Sequence, residues 1–380
     1  MLHAARLFDG RQIHRQCRLE VADGRVVSVG VGVRPQAGDQ VLADGILAPG
    51  LVDLQVNGYA GVDFARATTR ELARVMADLA AVGTTSTLPT IITAPVADLV
   101  ASLDVIARAQ ADDPSGPPRA RILGAHVEGP FLSERRRGAH RADLLVTPTP
   151  ESVAAIADHP ATALMTLAPE LPGAMAAISQ IVAAGVVASI GHSDATAAEV
   201  HQAADLGARS VTHLFNGQRP IGHREPGVPG AALVDDRLHL GLIVDFEHVA
   251  PDMVRLAFAA APDRIVLVTD AVAASGMPAG RYELGGESIV VDIDGGPARR
   301  VDGTLSGSGL TMAAAVRNAV SVGVPIEVAL ASATRRPAAV LGRTDVGCLE
   351  PGAHADLVWF DEGLRVGRTW VGGRAVSASG

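Results

Sequence analysis

The stretch VVASIGHSDATAAEVHQAADLGARSVTHLFN, residues 186–216, decides the fold. An apolar run from Val186 to His192 ends on a histidine, and Ala197 to Gly207 then carries apolar residues at helical spacing and stops at a glycine. A second apolar run, Ser210 to Asn216, again ends on polar side chains. Strand, helix and strand within roughly 30 residues is one βαβ unit.

The same alternation continues outward in both directions. Strand-like runs cover Leu51 to Asn57, Thr85 to Thr90, Arg121 to Glu128, Ala163 to Glu170, Val186 to His192, Ser210 to Asn216, Leu238 to Asp245 and Ile265 to Asp270, with helical segments such as Pro251 to Ala261 between them. Eight such units predict an α/β fold, a (β/α)8 TIM-type barrel over residues 48–345. An open doubly wound sheet is the competing arrangement. The chain offers it no Gly-rich dinucleotide turn, since Gly307-Ser308-Gly309 is too short and follows no clear parallel strand.

Both chain ends have a different texture. Leu19 to Val27 places Asp23-Gly24 between two short apolar runs, a hairpin signal, and Ala355 to Phe360, Thr369 to Val371 and Arg374 to Val376 continue in the same style. Antiparallel strands without helices are expected there. Residues 1–47 and 346–380 are therefore predicted to form one small, discontinuous β-domain.

Composition narrows the function. The 380 residues suit one large barrel and an accessory piece. A net charge of -9, with no basic run longer than Arg135-Arg136-Arg137, argues against a nucleic-acid partner. Charged residues are 19% and hydrophobic ones 48%, which excludes intrinsic disorder. With only 3% aromatics, the core must come from Ala, Val, Leu and Ile, small side chains suited to helix-on-sheet packing. Cys17 and Cys348 form neither a Cys-x-x-Cys pair nor a metal-finger spacing. The first residues carry no secretory pattern, and no apolar run reaches the ~18 residues of a membrane helix. A cytoplasmic location without membrane contact is expected.

Barrel enzymes assemble their sites where strands finish, and here those ends are polar: Gln55, Asn57, Thr90, Glu128, Glu170, His192, His213, Asp245 with His248 just beyond, and Asp270. Glu128, His192 and His213 supply one carboxylate and two imidazoles, the ligand set of hydrolytic zinc with an open fourth position. Three independent polar caps are the rival explanation. Asp270 closes the run Ile265-Val266-Leu267-Val268-Thr269, so a rigid strand delivers its carboxylate to the rim as a general base; an N-cap for the next turn is the structural alternative.

These residues sit within longer motifs. They are Ala48 to Gly58 (APGLVDLQVNG), His126 to Phe131 (HVEGPF), Gly138-Ala139-His140, Gly191 to Thr196 (GHSDAT), Thr212 to Asn216 (THLFN), Arg224 to Gly227 (REPG), Thr269-Asp270-Ala271, Gly303 to Ser308 (GTLSGS) and Pro351 to Val358 (PGAHADLV). Across almost the whole chain they resemble the N-acetylglucosamine-6-phosphate deacetylases of the amidohydrolase superfamily. The resemblance implies that Glu128, His192 and His213 hold one divalent metal ion per chain, zinc in the first instance and iron or another divalent ion as alternatives. It implies that Asp270 activates water and that His248 polarises the acetamide carbonyl. By the same resemblance, Ala139, His140, Asn216, Gly217, Arg224, His248 and the turn Leu305-Ser306-Gly307 contact a phosphorylated amino sugar. Arg224 suits that role chemically, because a planar guanidinium grips phosphate bidentately, whereas a surface ion pair with Glu225 is its alternative. A homodimer is also implied, in which Arg224 or His248 acts across the interface.

Two departures stand out. Gln55 and Asn57 occupy the place where many amidohydrolases have His-x-His for a second metal, so one metal is expected. Gly217-Gln218 follows Asn216 where the family commonly has Ala-Met, which bears on pocket shape. The run Arg135 to Arg137 reads as solvated surface, with an anion-attracting loop as the alternative. The predicted reaction is hydrolysis of N-acetylglucosamine 6-phosphate to glucosamine 6-phosphate and acetate. Alternatives are a hydrolase of another N-acyl or cyclic amide, and a catalytically silent sugar-phosphate binder, which would typically have lost the metal ligands.

Overall fold

Eight parallel strands follow one another around the barrel: β1 (Leu51–Val56), β2 (Thr84–Ile92), β3 (Ala125–Glu128), β4 (Thr162–Leu167), β5 (Val187–Ile190), β6 (Ser210–Val211), β7 (His239–Leu242) and β8 (Ile265–Leu267). Closure of β8 on β1 is a single bridge, Val56 to Ala271, supported by the Asp270 N–H donating to the Gln55 carbonyl at 2.9 Å. The structure, a computed structural model, describes residues 1–111 and 116–377. Every residue of β1 and of β2 is buried, as expected of strands covered by side-chain layers inside and helices outside. The helix Ala197–Asp205 opens on a capping box between Thr196 and Glu199, and Pro251–Ala260 starts on its proline.

The strands end earlier than their apolar runs suggest. β5 stops at Ile190, β6 at Val211 and β8 at Leu267, each short of the polar residue expected to close it. The reason lies in the backbone. His192, His213 and Asp270 have φ of 46°, 31° and 52°, left-handed conformations that cannot continue a ladder and turn the chain across the barrel mouth. The run Arg121 to Glu128 is likewise split into Arg121–Ile122 and β3. Gly124 sits in the break at φ 137°, where a Cβ would come within 2.6 Å of the Ala163 methyl.

An eight-stranded sheet is built from both chain ends: Leu2–Phe8, Ile13–Ala22, Arg25–Val31, Gln40–Leu42 and Ile46–Pro49 from one side, and Leu357–Phe360, Val366–Val371 and Arg374–Ala375 from the other. Asp23 and Gly24, at φ 50° and 73°, make the tight turn between Ala22 and Arg25 that Asp-Gly announces. One expectation needs correcting: Leu2–Phe8 pairs parallel with Gln40–Leu42 and with Ile46–Pro49. Parallel partners need a crossover, and the hairpin Ile13–Val31 with its following loop provides one. Leu7, Leu19, Leu47, Leu357 and Trp370 give this sheet its own apolar core.

The strand reading overlooks an insertion. Between β8 and the helix Met312–Ser321, the strands Gly280–Leu284, Glu287–Val291 and Arg299–Arg300 form a small antiparallel sheet. It packs Leu284, Ile289 and Val291 on Ile92 and Val272 at the mouth. Among the described residues no helix is long and apolar enough to cross a membrane.

Candidate active site

Glu128, His192 and His213 converge at the mouth. The Glu128 Oε1 lies 3.0 Å from the His213 Nε2 and 3.3 Å from the His192 Nε2, and the two imidazole nitrogens are 3.1 Å apart. All three side chains are buried, none more than 8% exposed. Ligands about 2.0–2.2 Å from a tetrahedral ion lie roughly 3.3–3.5 Å from each other. The observed triangle is therefore close to the size of one face of such a site, and its donor set of one carboxylate and two imidazoles fits a divalent cation. His140 stands behind it, its ring centroid 4.4 Å from that of His192, so that Glu128, His140 and His192 also form a compact ligating group. His140 shares its Nδ1 with the Thr93 hydroxyl at 2.7 Å, and burial pushes its pKa down to about 3, so the ring is neutral.

The backbone behind His192 orients it. Its Nδ1–H donates to the Arg136 carbonyl at 2.8 Å, leaving the Nε2 lone pair for the cluster, the usual outer support of a metal-binding histidine. Arg136 is in turn held by Asp194 at 2.8 Å, which also pairs with Arg135 and Arg219, while Arg137 donates to the His140 carbonyl. Arg136 and Arg137 thus brace the loop between β3 and His140, whereas Arg135, its side chain 81% exposed, is solvated surface. Glu170 points away from the cavity and accepts from the Ser193 hydroxyl and the Asp194 N–H, fixing the turn after His192. Gly217 packs against the same Nδ1 edge of this ring; a Cβ there would meet the His192 Nδ1 at 2.7 Å.

Asp270 faces the cluster from β8. Its Oδ1 accepts from the Asn57 amide at 2.7 Å and from the Gln55 amide at 3.1 Å, and Gln55 also reaches Glu128 at 3.3 Å. The carboxylate accepts from side-chain amides and has no backbone N–H partner among the described residues, unlike a helix cap. Gln55 therefore ties the expected base to the expected ligand, and Asn57 adds a second hold on the base. Burial and the Glu128 charge raise the Asp270 pKa against the opposing pull of His213, His248 and Asn57. Burial likewise disfavours the Glu128 anion, but hydrogen bonds and charge from His192 and His213 outweigh it and hold that carboxyl well below the usual range.

The cavity above this cluster measures about 230 Å³. It is lined by Ala139, His140, Asn216, Gly217, His248 and Leu305 to Gly307 together with Glu128, His192, His213 and Asp270. Arg224 lies outside it, exposed, and has no ion-pair or hydrogen-bond partner among the described residues. Composition could not point to Ile92, Leu284 and Thr304, which also line the wall: Leu284 comes from the overlooked insertion, and Ile92 is an apolar strand residue like many others. A larger cavity of about 690 Å³ lies where the small sheet meets the barrel. Its Arg121 and Arg343 are each gripped by two carboxylate oxygens, of Asp356 and Asp345, so those two charges are already engaged.

Comparison with known proteins agrees with this geometry. The amidohydrolase family model matches residues 46–376. An N-acetylgalactosamine-6-phosphate deacetylase of Escherichia coli O157:H7 is 38% identical over 99% of each chain. An N-acetylglucosamine-6-phosphate deacetylase of Danio rerio is 40% identical, over 87% of this chain and 84% of its own. The crystal structure of N-acetyl-D-glucosamine-6-phosphate deacetylase from Mycobacterium smegmatis superposes with a TM-score of 0.93 at 38% identity, covering 99% of both chains. The Mycobacterium smegmatis enzyme has also been solved, as a mutant, in complex with N-acetyl-D-glucosamine-6-phosphate. The chain belongs to the amidohydrolase family, as a metal-dependent amide hydrolase of its N-acetylglucosamine-6-phosphate deacetylase branch.

Proposed function

We propose that the protein hydrolyses the N-acetyl group of N-acetylglucosamine 6-phosphate, giving glucosamine 6-phosphate and acetate. The observation that carries this reading is the meeting of Glu128, His192 and His213 with Asp270 and His248 around one cavity. Glu128, His192 and His213 would hold one divalent ion, zinc by ligand chemistry; when bound, it supplies Lewis acidity toward the acetamide oxygen and lowers the pKa of water. Asp270 takes a proton from the attacking water as the new C–O bond forms. It then returns that proton to the nitrogen as the C–N bond breaks. His248 donates to the acetamide oxygen, where negative charge develops. Asn216, Gly217 and the Leu305–Gly307 turn hold the sugar phosphate, and Arg224 would reach a phosphate from the neighbouring subunit of a homodimer.

One relative brings in a second substrate. It is named for the galactosamine epimer at the same 38% identity as the glucosamine-named structure. Both 6-phosphates are therefore assayed, beside N-acetylmannosamine 6-phosphate and the unphosphorylated sugars, with elemental analysis of the same preparation. Hydrolysis confined to phosphorylated sugars, with about one tight divalent ion per chain, is expected. Equal turnover of phosphorylated and unphosphorylated sugar would overturn the substrate assignment, and two tight ions would overturn the one-metal site.

A further inference from the structure

We propose that Asp245 is a positioning residue for this reaction: it holds the His248 ring with Nδ1–H on its own carboxylate and Nε2–H presented to the cavity. The inference rests on the reading of His248 as the group that polarises the acetamide. Asp245 stands three residues past the end of β7, and a single carboxylate organises everything up to His248. Its Oδ1 accepts the backbone N–H groups of Glu247 at 2.9 Å and His248 at 2.8 Å, and its Oδ2 meets the His248 Nδ1 at 2.6 Å. Phe246, between them, is at φ 68°. A phenylalanine takes that conformation only where its surroundings impose it. The His248 side chain is 5% exposed and lines the cavity, and its Nε2 has no hydrogen-bond partner among the described residues.

Proton bookkeeping follows from that contact. An ionised carboxylate can only accept, so Nδ1 must carry a hydrogen. Nε2 then carries one as well only if the ring is an imidazolium. Burial pushes the Asp245 carboxyl up, but the hydrogen bond and charge of His248 and the two backbone N–H groups outweigh it and leave it below the usual range. Asp245 therefore supplies a negative charge at neutral pH. The other charged groups around the ring are Glu247 in the same turn, paired with Arg299 of the inserted sheet at 3.5 Å, and Asp270, Glu128 and His213 of the metal side. A charged donor is stronger than a neutral one.

Asp245→Asn separates this role from a purely structural one. The Asn oxygen can still accept both backbone N–H groups, while its amide faces Nδ1 and leaves a neutral ring with Nε2–H. In metal-loaded protein with 15N-labelled histidine, assigned with His248→Gln, the proton affinity of His248 should fall about 10- to 1000-fold in the variant. Its kcat should fall about tenfold. A merely structural Asp245 would lower the melting temperature and leave the ring titration in place, which overturns the proposal. If the variant does not fold, the parent decides alone: both ring nitrogens must carry hydrogen under the assay conditions, and a neutral ring there is fatal to the idea. The ring measurement needs no substrate. A protein that passes it but leaves N-acetylglucosamine 6-phosphate intact loses the substrate assignment and keeps this one.

Discussion

On the proposed metal side of the cavity, three donor atoms from the ends of β3, β5 and β6 lie 3.0 to 3.3 Å apart, and Asp270 is held against them by two amides. On the sugar-phosphate side, Asn216, Gly217 and the Leu305–Gly307 turn reach the cavity, while Arg224 stands exposed outside it. The first half is complete within one chain because strand ends aim its side chains. The second half is made of turns, and among the described residues no lysine or arginine lines it. Bond-breaking and charge recognition are therefore separable here, and substitutions on the two sides should divide between kcat and KM.

The largest effect is expected at Asp270. Asp270→Asn keeps the shape but cannot accept and return a proton, and general acid–base catalysis is worth about 10²- to 10⁴-fold. A group serving both transfers belongs at the upper end, so kcat should collapse while KM and metal content change little. A metal-loaded variant working within tenfold of the parent would make Asp270 a structural residue and erase the contrast. The parent also carries a pH signature. Because burial and Glu128 raise the Asp270 pKa, activity lost on acidification should have its midpoint above the ~3.9 of an ordinary aspartate.

Arg224→Ala tests the other half. Loss of a charge-assisted contact, about 1.5–3 kcal/mol, should raise KM for the phosphorylated substrate about 10- to 100-fold and lower kcat less. If Arg224 serves the neighbouring subunit, chains carrying Asp270→Asn and chains carrying Arg224→Ala should regain activity when refolded together, since a mixed dimer contains one site with both residues intact. No gain on mixing confines Arg224 to its own subunit or to the surface.

The same division governed what could be read from the sequence. Glu128, His192, His213 and Asp270 stood out because each follows an apolar run in a barrel whose strand ends must carry its chemistry. Their left-handed backbone did not, since positive φ at histidine or aspartate leaves no trace in hydropathy. The inserted sheet was missed because its strands are short and half-exposed, so Leu284 entered the site unannounced. Arg136 was misjudged for a different reason. Its partner Asp194 lies 58 residues away in sequence, and only the fold brings the two charges together. Arg224 was legible as a phosphate-binding type of residue, but spacing could not say which cavity it serves.

The smallest expected effect lies beneath the metal side, at Asp53, and sharpens the contrast between an acid placed for catalysis and one placed for packing. Asp53 is buried on β1, accepting the Thr269 hydroxyl at 2.6 Å and the backbone N–H groups of Thr269 at 3.3 Å and Gln55 at 3.2 Å. Burial pushes its pKa up to about 7 against those hydrogen bonds, whereas the unfolded chain should release the same proton near ~3.9. Between those values the folded state binds a proton that the unfolded state has lost, so stability falls as pH rises through this window and stays lower above it. Each tenfold difference in proton affinity is about 1.4 kcal/mol, which limits the whole effect to about 4 kcal/mol. Asp53→Asn should still accept both N–H groups and can donate to the Thr269 oxygen, but it does not titrate. Melting temperatures between pH 5 and pH 8 should therefore fall less in this variant than in the parent, with kcat reduced far less than by Asp270→Asn. Parallel slopes in the two proteins would mean that Asp53 is ionised inside the barrel and that another group carries the pH dependence.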